Sequence, residues 1–354
     1  MKIAEIRVRE EEIPLTRPYT IANASYDRVT NFVVELRAGR LRGMGVASQD
    51  DEVTGETVEM CRQALDVDAL EWLAGRDVRE IQSICRELGK RMKKTPAARA
   101  AVDIALHDLL GRYLEMPLVK LLGGELRGMP TSITIGIEDV ESTLEEAREY
   151  LGRGFRRIKV KLGRDLEEDV ERLERLREIC DREIGIRVDA NRGYTVEQTI
   201  DFVERTLDLD IELIEQPLPV GWPERMAELP EEVRGKLAAD ESLLDEGDAL
   251  RLIGERPICG IFNIKLMKCG GIWSGLRIAT LAETSGVELM WGCMDESIIG
   301  ISGALHAALA SPATRYLDLD GSFDLARDVV SGGFELREGC LYPLDEPGLG
   351  IELV

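Results

Sequence analysis

The sequence predicts an α/β protein: a closed parallel barrel of (β/α)7β form, a modified TIM barrel, joined to a smaller α+β domain. Three observations carry that prediction. From Thr131 onward, short apolar runs of strand length alternate with helix-length stretches, a rhythm that calls for a parallel sheet with helices packed over it. Eight such runs can be drawn with seven helical stretches between them, and eight parallel strands close on themselves. Charged residues stand near the ends of successive runs: Lys161, then Asp189, Glu215, Asp240 and Lys265, these last four at spacings of 26, 25 and 25 residues. A strand, a helix and two loops take about that length in a barrel of roughly 200 to 250 residues.

The elements follow in order. At 354 residues the chain is long enough for two domains. Residues 1–50 alternate in the β manner through Ile3, Ile6 and Val8, then Phe32, Val34 and Leu36, and predict a small antiparallel sheet. Arg17 to Ser25 and Ser48 to Gly55 read as two loops, the second holding Asp50, Asp51 and Glu52. Helical periodicity runs from Glu56 to about Tyr113, with Pro96 opening a helix from Ala97. The barrel strands are expected at Thr131 to Gly136, Arg157 to Leu162, Gly185 to Ala190, Ile211 to Gln216, Leu237 to Asp240, Gly260 to Leu266, Glu288 to Gly292 and Tyr316 to Asp320. Residues 1–125 are thus assigned to the α+β domain, 126–322 to the barrel, and 323–354 to a tail that packs back on the first domain.

Composition bounds the function. With 44% apolar and 32% charged residues the chain falls among soluble globular proteins. No apolar run approaches the roughly 18 residues of a spanning helix, and Met1-Lys2-Ile3-Ala4-Glu5 leads directly into charged strand-like sequence, so a cytoplasmic protein without a membrane partner is expected. The net charge of −22 argues against nucleic acid, which wants a basic stripe. The same charge reads equally as solubility, as a saline habitat, or as a field that attracts cationic small molecules. Seven cysteines, an odd number, are expected as reduced thiols. The two histidines, His107 and His306, lie in helical periodicity, which argues against zinc.

Residues at the C-terminal ends of barrel strands line the mouth where chemistry occurs. In Ile158-Lys159-Val160-Lys161, strand alternation puts both lysines on one face. Asp189, Glu215 and Asp240 converge from three successive strands, and three such carboxylates need a cation; oxygen-only ligands select a hard metal such as magnesium. Lys161 and Lys265 flank that position from opposite sides, which suits two acid/base groups facing each other across a substrate. Lys159 and the cation would depress the pKa of Lys161, while Lys159 and Lys268 also read as neutralising, structural lysines. A substrate carboxylate on the metal has an acidified α-proton; removal by one lysine forms a metal-stabilised enolate, and return of a proton by the other yields the epimer.

The Lys159-x-Lys161 pair, Asp189-Ala190-Asn191, Glu215-Gln216-Pro217, Asp240-Glu241-Ser242, Asn263-Ile264-Lys265 with Lys268-Cys269-Gly270-Gly271, and the stretch from Ala98 to Leu110 together resemble the enolase superfamily in its muconate lactonizing subgroup. The resemblance covers essentially the whole chain. It implies that the α+β domain caps the barrel, that one Mg2+ per site is held by Asp189, Glu215 and Asp240, and that Lys161 and Lys265 are the bases. A sister subgroup takes its base from a histidine on the seventh strand; here that strand ends Met290-Trp291-Gly292-Cys293, which disfavours acid-sugar dehydration.

Strand alternation over Tyr316-Leu317-Asp318-Leu319-Asp320-Gly321 sets Asp318 and Asp320 on one face, and the pair is similar to the Asp-x-Asp with which dipeptide epimerases grip an α-ammonium. Relatives acting on Ala-Glu carry an arginine in the first capping loop, where this chain has Ala24. Asp50 with its acidic neighbours and Asp295 suggest instead a lysine or arginine side chain in the substrate. Thr134, Asn191, Glu241 and Glu296 complete the expected site. The function expected is a magnesium-dependent dipeptide epimerase inverting the second residue of an L,L-dipeptide by 1,1-proton transfer, with the dipeptide as partner and a homo-oligomeric assembly. The alternatives are an o-succinylbenzoate synthase or muconate-type cycloisomerase, whose dianionic substrates Asp318 and Asp320 oppose, and a non-catalytic binding barrel, which has no use for opposed lysines.

Overall fold

Alternating apolar and charged residues at the N-terminus form an antiparallel sheet of β1 (Glu5–Thr20), β2 (Ser25–Ala38) and β3 (Leu41–Ser48). The computed structural model describes residues 1–20, 25–221 and 223–354. The loop expected from Arg17 to Ser25 is shorter than that. The register shifts after Pro14, which offers no N–H to the ladder, and pairing resumes with Tyr19 opposite Tyr26 and Thr20 opposite Ser25. Ala24 lies outside the described residues.

The second expected loop also contains regular structure. Asp50 Oδ1 accepts from the backbone N–H groups of Glu52 (2.9 Å) and Val53 (3.3 Å), nucleating the single turn α1 (Asp51–Thr54), which Gly55 closes at φ 72°. Helix α2 (Ile81–Arg91) follows, and then α3 (Pro96–Tyr113), with proline in its first turn. The alanine-rich α3 is buried along most of its length because β3 meets it at glycines: a Cβ on Gly45 would fall 1.8 Å from the Ala101 carbonyl oxygen. Both histidines are structural. His107 Nδ1 lies 2.8 Å from the Asp103 carbonyl oxygen, and His306 Nδ1 accepts from Val119 N–H at 3.0 Å. All seven cysteines are free thiols.

The barrel strands are β4 (Ile133–Ile135), β5 (Arg157–Lys161), β6 (Gly185–Asp189), β7 (Ile211–Glu215), β8 (Leu237–Ala239), β9 (Ile261–Lys265), β10 (Glu288–Gly292) and β11 (Thr314–Asp318). Each pairs in parallel with its neighbour in sequence. A parallel bridge between Thr131 and Leu317, with Ser132 N–H donating to the Leu317 oxygen at 3.0 Å, joins the last strand to the first. The outer helices include α4 (Val140–Gly152), α5 (Leu166–Ile179), α6 (Val196–Arg205), α7 (Glu246–Ile253), α8 (Ile272–Ser285) and α9 (Ile298–Ala310), while two short helices, Pro223–Met226 and Glu231–Lys236, fill the fourth connection.

The last strand corrects the expected Tyr316 to Asp320. It pairs Gly292 with Asp318 and ends there, so Asp320 belongs to the turn beyond, where Phe323 N–H donates to its carbonyl oxygen at 2.8 Å. Face-sharing by strand alternation therefore does not relate Asp318 to Asp320. The tail divides between the two parts of the molecule. Phe334–Arg337 and Cys340–Pro343 form a hairpin that pairs with Met129–Pro130 beside the barrel, whereas Leu349 N–H donates to Asp108 of α3 at 2.8 Å and Glu352 pairs with Arg42 at 3.0 Å. Among the described residues no helix is long and apolar enough to cross a membrane.

Candidate active site

The barrel register decides which charges meet. Lys161 is opposite Asp189, and Asp189 is opposite Glu215, each the last residue of its strand; Asp240 follows β8 directly, and Lys265 ends β9. These residues surround a cavity of about 380 Å3 that is also lined by Lys159, Thr134, Asn191, Glu241, Asp318 and Asp320. Asp50, Cys293 and Asp295 line it as well. Of the residues expected in the site, only Glu296 and Glu215 are absent from this lining. Glu215 lies in the floor, wholly buried, with Lys159 Nζ 2.6 Å from its Oε2.

Glu296 is a correction. It is 2% exposed and does not line the cavity, with Oε1 accepting from Met294 N–H at 3.0 Å and Oε2 without a partner. The chain swings into α9 at Ser297, which caps that helix, and Gly300 leaves room for the carboxylate behind the wall. Burial raises its pKa to about 8.

The three candidate ligand carboxylates are each turned onto lysine. Lys159 Nζ stands 2.6 Å from Glu215, 2.8 Å from Asp318 and 3.3 Å from Asp189; Lys161 is 3.6 Å from Asp189; Lys265 is 2.7 Å from Asp240. Among the described residues no three carboxylate, histidine or cysteine side chains are gathered into a ready cage. The donor set nonetheless fits magnesium. The carboxylates stand at the ends of adjacent strands, are at most 4% exposed and offer oxygen alone. Burial and the Asp189 charge push Glu215 up to about 8 despite Lys159. Burial also works against Asp240 and Asp189, but Lys265 and Lys268 hold the first well below the usual range, and Lys159 and Lys161 lower the second. For Lys265 burial favours the neutral amine, and the attraction of Asp240 and Glu215 overrides it, leaving the pKa raised.

Asp318 and Asp320 differ in their surroundings. Asp318 accepts from Lys159 (2.8 Å) and from Ser132 Oγ (2.6 Å); burial notwithstanding, Lys159 lowers its pKa. Asp320 has the backbone N–H of Thr134 at 2.7 Å, and burial with the charge of Asp318 raises it to about 7. Lys159 therefore already balances Asp318, whereas Asp320 has no ion pair among the described residues. Glu241, opposite Arg192 Nε at 3.2 Å, is likewise raised to about 7 by burial and by Asp240 and Asp189.

Further residues hold the site, and of these Asn263, Gln216, Arg192 and Asn31 had no site role in the sequence analysis. Asn263 Nδ2 donates to Glu215 Oε1 at 2.7 Å; its place two residues before Lys265, on the same face, was the available signal. Gln216 Oε1 accepts from Asp240 N–H (3.1 Å) and Ser242 N–H (3.2 Å), bracing two neighbouring strand ends. Asn191, Arg192 and Gln216 have φ of 45°, 67° and 35°, uncommon for non-glycine residues and located where the chain leaves β6 and β7. Lys268 donates to the Asp240 oxygen at 2.6 Å and to its carboxylate, fixing that side chain. Asn31 of β2 reaches across the domains, donating to the Asp295 carbonyl (3.2 Å) and accepting from Ser297 N–H (2.9 Å), with Ser48 Oγ donating to the same carbonyl (2.8 Å). No sequence pattern marks that contact.

Comparison with known proteins places this geometry in context. Residues 3–123 match the family described as mandelate racemase / muconate lactonizing enzyme, N-terminal domain, and residues 142–354 match enolase C-terminal domain-like. The chain is 55% identical over 352 residues to an L-Lys-D/L-Arg epimerase of Methylococcus capsulatus, covering 99% of both chains. It is 50% identical over 355 residues to one of Desulforapulum autotrophicum, covering all of both. The crystal structure of the dipeptide epimerase from Methylococcus capsulatus complexed with Mg and the dipeptide L-Arg-D-Lys superimposes with a TM-score of 0.98 at 55% identity, over 99% of each chain.

Proposed function

The chain belongs to the mandelate racemase / muconate lactonizing enzyme family of the enolase superfamily, and from that premise we propose that it is a dipeptide epimerase inverting the second residue of dipeptides that carry lysine or arginine. One observation carries the reading. Lys161 and Lys265 end strands separated by three others, on opposite sides of a barrel mouth, with the three carboxylates between them. Among the described residues, twice as many acidic as basic side chains line the cavity, which favours a cationic substrate.

The residues divide the work. Magnesium, held by Asp189, Glu215 and Asp240, supplies when bound the positive charge that anchors the substrate carboxylate and acidifies the adjacent α-carbon. Lys161 and Lys265 face opposite sides of that carbon: the neutral lysine removes the α-proton, and the ammonium across the cavity delivers one to the other face, inverting the centre. Lys159 balances Glu215 and Asp318. Asp320 receives the α-ammonium of the first residue, while Asp50 and Asp295 face the cationic side chain of the second. The 50%- and 55%-identical relatives named as L-Lys-D/L-Arg epimerases support the cationic preference.

The test is proton NMR in heavy water on magnesium-loaded protein, with pooled L,L-dipeptides sorted by basic, acidic and apolar second residues. Deuterium is expected at the second α-carbon of the basic pool and is lost on adding a chelator. Equal exchange in the acidic pool would remove the specificity; no exchange in any pool would remove the epimerase.

A further inference from the structure

In a chain of net charge −22, unpaired cations gathered at one place need an explanation. A second hollow of about 500 Å3 lies between the capping helices and the barrel, sharing no lining residue with the reaction cavity. Arg86 of α2 and Lys93 and Lys94 of the segment after it form one wall; Arg99 of α3 forms the back, and Trp273 and Arg277 of α8 form the other wall.

The acids here are already engaged. Asp103 accepts from the N–H groups of Ile272 (2.6 Å) and Trp273 (3.3 Å), Asp245 caps α7 through Gly247 (2.8 Å) and Asp248 (3.0 Å), and Glu246 pairs with Arg277 at 2.9 Å. Four cations make no ion pair among the described residues. Among the described residues Lys93 and Lys94 have no ion pair, and Arg86 only rests 5.8 Å over the Trp273 ring. Arg99 donates to the Cys269 carbonyl at 2.5 Å and makes no ion pair, while its Nε is buried without an acceptor.

We propose that this hollow binds a small polyvalent anion bearing phosphate groups or several carboxylates. Such a ligand gives Arg86, Lys93 and Lys94 a counter-charge that no described acidic side chain supplies, and its oxygens suit a guanidinium fork. The four cations come from one basic stretch of the sequence, Arg86 to Arg99, which runs from α2 through the segment after it into α3 and faces the start of α8. The proposal is independent of the epimerase reading, since its readout is binding.

Isothermal titration of the magnesium-loaded protein, with free magnesium in constant excess and ionic strength matched with potassium chloride, tests it. Inorganic pyrophosphate is the probe in one arm and tricarballylate in the other, and the tighter arm identifies the anionic group. Saturable binding at one site is expected, weakened at least about tenfold in the Lys93→Ala/Lys94→Ala double variant. Both lysines are exposed, so an unchanged melting temperature is expected for that variant. No saturable binding in either arm, or equal affinity in the double variant, overturns the proposal.

Discussion

The floor of the reaction cavity and the wall above it are built by different means. In the floor, Lys161, Asp189, Glu215 and Lys265 end strands whose mutual register is set by backbone ladders, and Asp240 follows the strand between. In the wall, Asp50 stands at the entry to a one-turn helix, Asp295 on a loop tied down by Asn31 and Ser48 of another sheet, and Asp320 in the turn beyond β11. A ladder positions side chains by repeated hydrogen bonds that no single substitution removes. A loop depends on a few side-chain contacts. On the proposed function, chemistry falls on the rigid part and substrate choice on the part that can vary without disturbing it.

Four substitutions bear on that contrast, the largest effect first. Lys161→Ala and Lys265→Ala, in the floor, should each lower epimerisation at least about a thousandfold, while deuterium exchange in heavy water survives for one enantiomer, a different one in each variant. Loss of both exchanges in both variants would break the picture of two opposed lysines. In the wall, Asp295→Asn should reduce kcat/KM for dipeptides with a basic second residue about ten- to a hundredfold, with apolar dipeptides unaffected; parallel losses on both would make Asp295 part of the floor. Asn31→Ala removes the tie between sheet and loop, and a rise in KM of about threefold to tenfold with kcat retained is expected.

The smallest effect concerns stability. Glu296, near 8 in the folded protein, lies above the 4.5 of a free glutamate. Between those values the folded chain holds a proton that the unfolded chain has released, so stability falls as pH rises through that window, by at most about 1.4 kcal/mol per unit. Glu296→Gln should flatten that slope in urea melts taken from pH 5 to pH 8; an unchanged slope would assign the carboxyl an environment other than the buried one behind the wall.

What could be read in advance follows the same division. Asp189, Glu215, Asp240 and Lys265 recur near the ends of apolar runs at a nearly constant interval, and that interval is the physical length of one β/α unit; fold, floor and cofactor were therefore legible together. Reading the last strand two residues too far placed Asp318 and Asp320 as equivalent acids, whereas only the ladder to β10 shows where it stops. Glu296 carries the right charge in the right loop, and nothing local reveals that Gly300 opens a space behind the wall for it.

By itself the sequence determined the barrel, the alternation that points Lys159 and Lys161 to one face, and the order in which acids and lysines encircle the mouth, because these follow from periodicity within one segment. The tertiary structure decided which lysine neutralises which acid, that Asp318 is occupied by Lys159 while Asp320 faces the cavity, and that cations from separate elements of an acidic chain meet around one hollow. The pairings depend on contacts between separate elements, from Lys265 to Asp240 at 25 positions to Lys159 to Asp318 at 159, and side-chain pairing of that kind is set by how the elements pack.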